Sequence, residues 1–189
     1  PLVVGLVKAD DKTAVYQNLI AAIERDAYAL TAGDVGSHYL VRALQDFGAH
    51  EVIWRMNARD DVPGYGYQLR KGATALTESW PALRYVSNNH MMLGHLMEWL
   101  FSGIGGIRQA EGSIGYEQII IDPQAVGDLS WAEVSHTCIR GEIYMRWEKK
   151  GKGIRMEIIV PEGSTAELSF GGKFIGSYNA GKHIIKKLR

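Results

Sequence analysis

The chain has 189 residues, enough for one large domain or two small ones and for a real apolar core. Apolar residues make up 46% and charged residues 22%, and the formal net charge is zero, so the basic excess that nucleic acid or an anionic membrane surface selects is missing. No apolar run approaches the ~20 residues that span a bilayer, and one cysteine, Cys138, excludes an internal disulfide while leaving the compartment open.

The start, PLVVGLVKADD, is too short and lacks the basic lead of a secretory signal. A first residue Pro1 in place of Met is expected of a processed protein or of a fragment. From residue 12 the pattern is helical. KTAVYQNLIAAIERDAYAL sets Val15, Leu19, Ile20, Ile23 and Ala27 on one stripe, with Asp10 or Asp11 as cap. A second helix follows Gly33 and Asp34, with Val35, Tyr39, Leu40, Ala43, Leu44 and Phe47 inward and Gly48 as its stop. A shorter one covers about 51–58, with Val52, Ile53 and Met56 inward. A fourth covers about 89–103, capped by Ser87 or Asn88, apolar on most sides and so expected to be buried. Between the last two lies a long irregular stretch, 59–87, of a length that is usually functional.

After RQAEGSIG the period changes from about 3.6 to 2. YEQIIIDP, LSWAEVSHTCI, GEIYMRWEKKG, GIRMEIIVPEG and TAELSF read as strands, two of them joined by the KKGKG turn. This predicts an antiparallel β-domain, a small sandwich with one face buried, in which Trp131 and Trp147 are core. The fold class is therefore α+β with two domains, helical over 1–112 and β over 113–189. Four helices and a long loop close a core poorly, so the helical half reads as part of a larger array.

The candidate chemistry lies in YGYQLRKGATALTESW, residues 65–80. Glu78 is a carboxylate in a loop with Tyr65, Tyr67 and Trp80. Aromatic faces stack on sugar C–H faces and a carboxylate moves a proton, so the set fits sugar chemistry. On spacing alone, a capping or solvated glutamate beside a structural tryptophan is the favoured reading. His90, expected in the first turn of the fourth helix, is either a hydroxyl-binding imidazole or a cap. His90, His95 and Glu98 suggest a metal, but the i, i+5 spacing of the histidines splays them and no zinc signature is present, so no metal and no cofactor is expected. Asp34 is read as a helix cap, and GIGGIR lacks the strand–loop–helix setting of a phosphate cradle.

Four stretches together carry a family resemblance: TAGDVGSHYLVRAL (31–44), PGYGYQLRKGATALTESW (63–80), NNHMMLGHLMEWLFSGIGGIR (88–108) and IIIDPQAVGDLSWAEVSHTCIRGEI (119–143). In this order they resemble the bacterial α-L-rhamnosidases, an inverting glycoside hydrolase family. The resemblance implies that the helical half is the last part of an (α/α)6 barrel and the rest a C-terminal β-sandwich. It implies that Glu78 is the catalytic base, that His90 contacts rhamnose, and that Tyr65, Tyr67 and Trp80 line or support the same region. Compared with the family, SWPALRYVSNNH between glutamate and histidine is short. The resemblance further implies a rhamnose-containing glycan or glycoside as partner, with neither nucleic acid nor membrane. The general acid is expected upstream of Pro1, leaving the isolated chain inactive, and the open half-barrel faces favour self-association. Two other readings stay open: a different (α/α)6 glycosidase, or a non-catalytic carbohydrate-binding module centred on residues 116–189.

Overall fold

The computed structural model describes residues 1–151 and 153–188. They form two compact units, Pro1–Trp99 and Leu100–Arg189. The strand-rich unit thus starts on a helical turn, Leu100–Ile104, ahead of the change of period in the sequence.

The first unit is built on helices α1 (Lys12–Arg25), α2 (Asp34–Asp46), α3 (His50–Asn57), α4 (Tyr65–Arg70) and α5 (Leu96–Trp99). Helix α1 begins on a tight turn, Ala9–Asp11, and neither aspartate side chain caps it. It ends at Arg25, so Ala27 lies beyond the stripe. Ala27 and Tyr28 take left-handed backbone angles, φ 50° and 60°, and the Tyr28 N–H returns to Ile23 O at 2.9 Å. This stop is held from outside: Arg55 donates to the Tyr28 hydroxyl at 2.9 Å and Arg59 donates to Ala27 O. Arg59 also donates to Asp61 at 2.8 Å, which holds that carboxyl down to about 2. Helix α2 ends as its sequence predicts. Gly48 sits at φ 73°, its N–H reaches Gln45 O and the Ala49 N–H reaches Leu44 O, the closed C-cap that frees no carbonyl. At the other end Asp34 accepts the Val35 N–H at 2.8 Å.

Helix α2 packs on α3 and α5. Leu44, Ile53, Met56, Leu93 and Trp99 are buried there, each such side chain contributing on the order of 1.5–3 kcal/mol by leaving water. The Trp99 indole donates to His50 Nδ1 at 3.0 Å. The outer side of the α2 stripe is open: Val35 and Tyr39 are exposed.

The fourth predicted helix is not one helix. It is a short turn (Met91–Leu93), α5 and a wide turn (Leu100–Ile104). Leu93, Trp99 and Ile104 are buried, but Met91 is 84% exposed and Met97 57%. His90 precedes the first of these turns, extended, with its N–H bonded to Leu76 O at 2.8 Å. Conversely, the irregular 59–87 stretch contains α4. It approaches the chain closely at Gly66, where a Cβ would lie 2.5 Å from Arg59 O.

The second unit is one curled six-stranded sheet: β1 (Ile107–Gln109), β2 (Gln118–Ile121), β3 (Trp131–Cys138), β4 (Gly141–Lys150), β5 (Gly153–Phe170) and β6 (Lys173–Leu188). The β4–β5 hairpin closes at Lys150 opposite Gly153, where KKGKG predicts it. Lys152 of that turn lies outside the described residues. GIRMEIIVPEG and TAELSF form a single strand, β5, with an irregularity between Val160 and Thr165 in its pairing with β6. Its first half pairs with β4 and its second half with β2. The sheet curls so that Phe170 at the end of β5 meets Trp147 on β4 edge-on at 5.9 Å.

One pairing departs from the antiparallel expectation. β2 runs parallel to β5. The hairpin β3–β4 lies between them in the chain, and a connection of that length is what parallel pairing requires. The core alternates as predicted: Ile143, Met145, Trp147, Met156 and Ile158 are buried. Trp131 is the exception, at 54% exposed. It stands on the outer face of β3, opposite Glu148, with the Arg146 guanidinium 5.0 Å from its ring centre.

Gly106 takes φ 70°, and a Cβ there would lie 2.2 Å from the Pro123 nitrogen. Gly171, at φ 56°, faces open space. Gly106→Ala is therefore expected to cost well over the ~1 kcal/mol of a left-handed alanine alone, and Gly171→Ala to cost about that. Thermal unfolding followed by circular dichroism should rank the two variants in this order.

Candidate active site

Two chain segments build the site. The Glu78 N–H donates to Ser87 O at 2.9 Å and the His90 N–H to Leu76 O at 2.8 Å, so residues 76–78 and 87–90 lie side by side. The Glu78 carboxylate strengthens the tie. Its Oε2 accepts the Ser87 N–H at 2.9 Å. The side chain and the main chain of one residue thus hold one partner residue, and the loop 79–86 is closed at its neck. Glu78 itself is exposed, and Oε1 has no hydrogen-bond partner among the described residues.

Around the exposed Glu78, Thr77 and Trp80 are buried. The Thr77 hydroxyl donates to Ser79 O at 2.7 Å and Gln68, also buried, reaches the same carbonyl at 3.4 Å. The Trp80 indole donates to Ala32 O at 2.7 Å and its ring meets Tyr65 edge-on at 5.1 Å. The Tyr65 hydroxyl donates to Leu93 O. Burial pushes the Tyr65 phenol up to about 12, so it stays a protonated donor at any physiological pH. Trp80 and Tyr65 are thus braces behind the carboxylate, with their polar ends already satisfied by main-chain carbonyls.

Tyr67 is on the opposite side of α4, since two residues on a helix differ by about 200°. It lines a cavity of about 580 Å³ together with Lys71, Thr74, Leu83, Arg84 and Asn88. His90 is half-buried and sits on the segment paired with that of Glu78. The fold therefore gathers all five sequence-predicted residues around one loop, in three positions: Glu78 and His90 on the paired segments, Tyr65 and Trp80 behind them, Tyr67 on the cavity wall.

Sequence reasoning did not find Ser87, whose contribution is a main-chain N–H with no side-chain signature. Nor did it find the clamp of Gln68 and Thr77. A glutamine in the middle of an otherwise exposed helix end was its one available signal. His95 sits 5.0 Å from His38, and His38 and Arg42 both face Glu98. Among the described residues no group of three or more His, Cys, Asp or Glu could hold a metal ion.

A helical unit carrying a braced, exposed carboxylate, followed by a curled β-unit, is the layout of a helical-hairpin glycosidase domain with its C-terminal β-domain. Comparison with known proteins agrees. Residues 1–104 match the bacterial alpha-L-rhamnosidase 6 hairpin glycosidase domain and residues 106–173 the bacterial alpha-L-rhamnosidase C-terminal domain. The chain belongs to the bacterial alpha-L-rhamnosidase family. An alpha-L-rhamnosidase of Streptomyces avermitilis is 30% identical over 88% of this chain, which spans 17% of that protein. One of Formosa agariphila is 26% identical over the same share, here 19% of the relative. The solved alpha-L-rhamnosidase of Dictyoglumus thermophilum superposes on 97% of the chain with a TM-score of 0.87 and 28% identity, and 24% of that structure is covered. The Streptomyces avermitilis enzyme complexed with L-rhamnose superposes on 97% with a TM-score of 0.89 and 26% identity, 20% of it covered. The chain thus spans about a fifth of the length of its relatives.

The double tie at Glu78 has a direct readout. Glu78→Gln keeps an oxygen that accepts the Ser87 N–H, whereas Glu78→Ala removes it. Hydrogen exchange at the Ser87 amide is expected to stay slow in the first variant and to accelerate in the second, by up to about tenfold for loss of a bond worth about 1 kcal/mol.

Proposed function

We propose that this chain is the part of an α-L-rhamnosidase that supplies the general base, and that Glu78 is that base. The observation that carries the reading is the state of the carboxylate: one oxygen held by the Ser87 N–H, the other without a partner among the described residues, on an exposed residue. A base must be fixed in direction and yet open to water, and these contacts meet both needs.

Inverting hydrolysis uses two carboxyl groups about 6.5–9.5 Å apart, one to protonate the leaving oxygen and one to take a proton from the attacking water. In this reading Glu78 Oε1 takes the water proton while Oε2 stays on the Ser87 N–H, which also stabilises the negative charge between turnovers. His90 binds a rhamnose hydroxyl. Tyr67 offers its ring and hydroxyl to the sugar from the cavity wall. Tyr65 and Trp80 support binding indirectly, by bracing the loop. The acid is contributed by another part of the parent enzyme, which accords with the small share of the relatives that this chain spans. The substrate is a rhamnose-containing glycan or glycoside, hydrolysed with inversion at its terminal α-L-rhamnose.

In the full-length parent, Glu78→Gln is expected to lower the rate of aryl α-L-rhamnoside hydrolysis by about 10²–10⁴-fold, the range of a lost general base. Parent-like turnover by that variant, measured by release of the aryl group, rules Glu78 out as the base. For the isolated chain, the open apolar groove of about 470 Å³ lined by Leu2, Val4, Val15, Leu19, Tyr39 and Leu40 supports self-association. Sedimentation velocity should then show a mass that rises with concentration; a single monomer peak over a hundredfold range of concentration removes that proposal.

A further inference from the structure

We propose that the β-unit carries a sugar-binding site of its own, a polar cavity across strands β2, β5 and β6 that takes an uncharged glycoside. The site shares no residue with the Glu78 loop, and its chemistry stands whether or not Glu78 is the base.

The cavity, about 400 Å³, falls within the size range of small-molecule sites. Strand register builds it. Gln118 lies opposite Thr165 and Thr165 opposite Asn179, which makes one row across three strands. Ile120, Glu167 and Ser177 make a second row. The rows are about 7 Å apart along the strands, and each spans about 10 Å across them. That is the footprint of one or two sugar rings. Ile119 and Ala166, between the rows, are buried. Their side chains point to the other face, and the two rows share this one. Ala110 also lines the cavity and ends the first row with a small side chain, its N–H on Gln118 O at 3.0 Å.

Five of these six row residues are polar, and all five are exposed: Gln118, Thr165, Glu167, Ser177 and Asn179. Among the described residues, none of the five side chains has a hydrogen-bond or ion-pair partner. The charged ladder of the same sheet differs. There Glu133, Glu148 and Glu157 each lie against a cation. The cavity wall thus keeps its hydrogen-bonding groups free of intramolecular partners.

Elimination sets the ligand. No cation lines the cavity, and the Glu167 carboxylate does, so phosphate, sulfate and sugar acids are repelled. The single aliphatic side chain on the rows, Ile120, is half-buried, too little apolar surface for an acyl chain. Among the described residues no group of three or more His, Cys, Asp or Glu could hold a metal ion. A ligand rich in uncharged hydroxyls meets what remains. Gln118 and Asn179 each offer amide donors and an acceptor, Thr165 and Ser177 each a hydroxyl that serves as both, and Glu167 two acceptor oxygens. A pyranose presents donors and acceptors around its rim, and this wall answers both.

The test uses this 189-residue chain labelled with ¹⁵N and reads amide shifts by NMR, with no hydrolysis involved. The neutral probes are methyl α-L-rhamnopyranoside, methyl β-D-glucopyranoside and methyl β-D-galactopyranoside. Methyl β-D-glucuronoside supplies the charged comparison and glycerol a polyol without a ring. At least one neutral glycoside is expected to shift amides of both rows, with half-saturation at about 1–10 mM, the strength of a handful of exposed hydrogen bonds. The glucuronoside should bind about threefold more weakly than that glycoside at low salt, from one exposed like charge. In the Glu167→Ala/Asn179→Ala double variant the half-saturation should rise about tenfold or more. The melting temperature of that variant should stay close to that of the unaltered chain, because both residues are exposed. The proposal is overturned if no neutral glycoside shifts the rows, if the shifts are confined to residues 76–90, or if they persist in the double variant. Glycerol shifting the rows as strongly as the best glycoside overturns the sugar assignment. A glucuronoside that binds as tightly as the best neutral glycoside overturns the preference for an uncharged ligand. Parent-like hydrolysis by the Glu78→Gln enzyme removes the base and leaves these shifts untouched, so the two readings fail separately.

Discussion

The two-way tie between residues 76–78 and 87–90 is the constraint from which the helical unit's surface follows. Three hydrogen bonds, two from main chain to main chain and one from the Ser87 N–H to the Glu78 carboxylate, fasten one stretch to the other. At that neck Thr77 and Trp80 are buried and Glu78 is exposed. The same tie meets His90 in an extended conformation, one residue ahead of the turn Met91–Leu93. A single local pairing thus brings Glu78 and His90 onto adjacent segments.

Main-chain carbonyls do much of the bracing around it. Ala32, Leu93 and Ser79 accept from Trp80, Tyr65 and Thr77. Such bonds contribute about 1 kcal/mol each in net stability, but their geometric effect is larger. They consume the polar ends of two aromatic residues, which turns side chains that look like sugar platforms in the sequence into fixed walls. Tyr67, two residues from Tyr65, is turned the other way by the helix and lines the cavity.

Legibility in the sequence followed the range of the forces involved. Helices α2 and α3 were readable from periodicity, and the stop at Gly48 from its conformational freedom, since both are local. The alternation of Ile143, Met145 and Trp147 was readable for the same reason. Ala27 was not, because its helix is halted by Arg55 and Arg59 from elsewhere in the chain. The 89–103 segment differs from the buried helix expected of it: its apolar content was visible, while its division into short turns with Met91 and Met97 exposed was not. Trp131 looked like core because its alternation is sound. Only the strand pairing shows that its parity places it outside, beneath Arg146. The candidate site divided in the same way. Glu78, His90 and the aromatic residues were legible as candidates from motif order, whereas Ser87 holds the carboxylate through a backbone group, which no motif encodes.

The β-unit has its own dependence on one element. Strand β5 pairs with β4, β6 and β2. Its outer face carries part of a ladder of alternating charge, Glu133–Arg146–Glu148–Arg155–Glu157–Lys182. The bond from Lys182, with Arg155 beside it, holds the Glu157 carboxyl below its usual range. Exposed pairs like these add little stability one by one, but they specify register, because a slip by two residues sets Arg146 opposite Arg155 or Glu148 opposite Glu157.

The parallel pairing of β2 with β5 also sets an order in time. The antiparallel hairpins β3–β4, β4–β5 and β5–β6 each join neighbours in the chain, whereas Gln118 must find Thr165 about fifty residues away. Closing so long a loop is entropically costly and slow compared with hairpin formation. The meander therefore assembles first and presents the second half of β5 as an open edge. That edge accepts β2 last, so the final step of folding is the docking of the strand that leads directly from β1 and the helical turn before it.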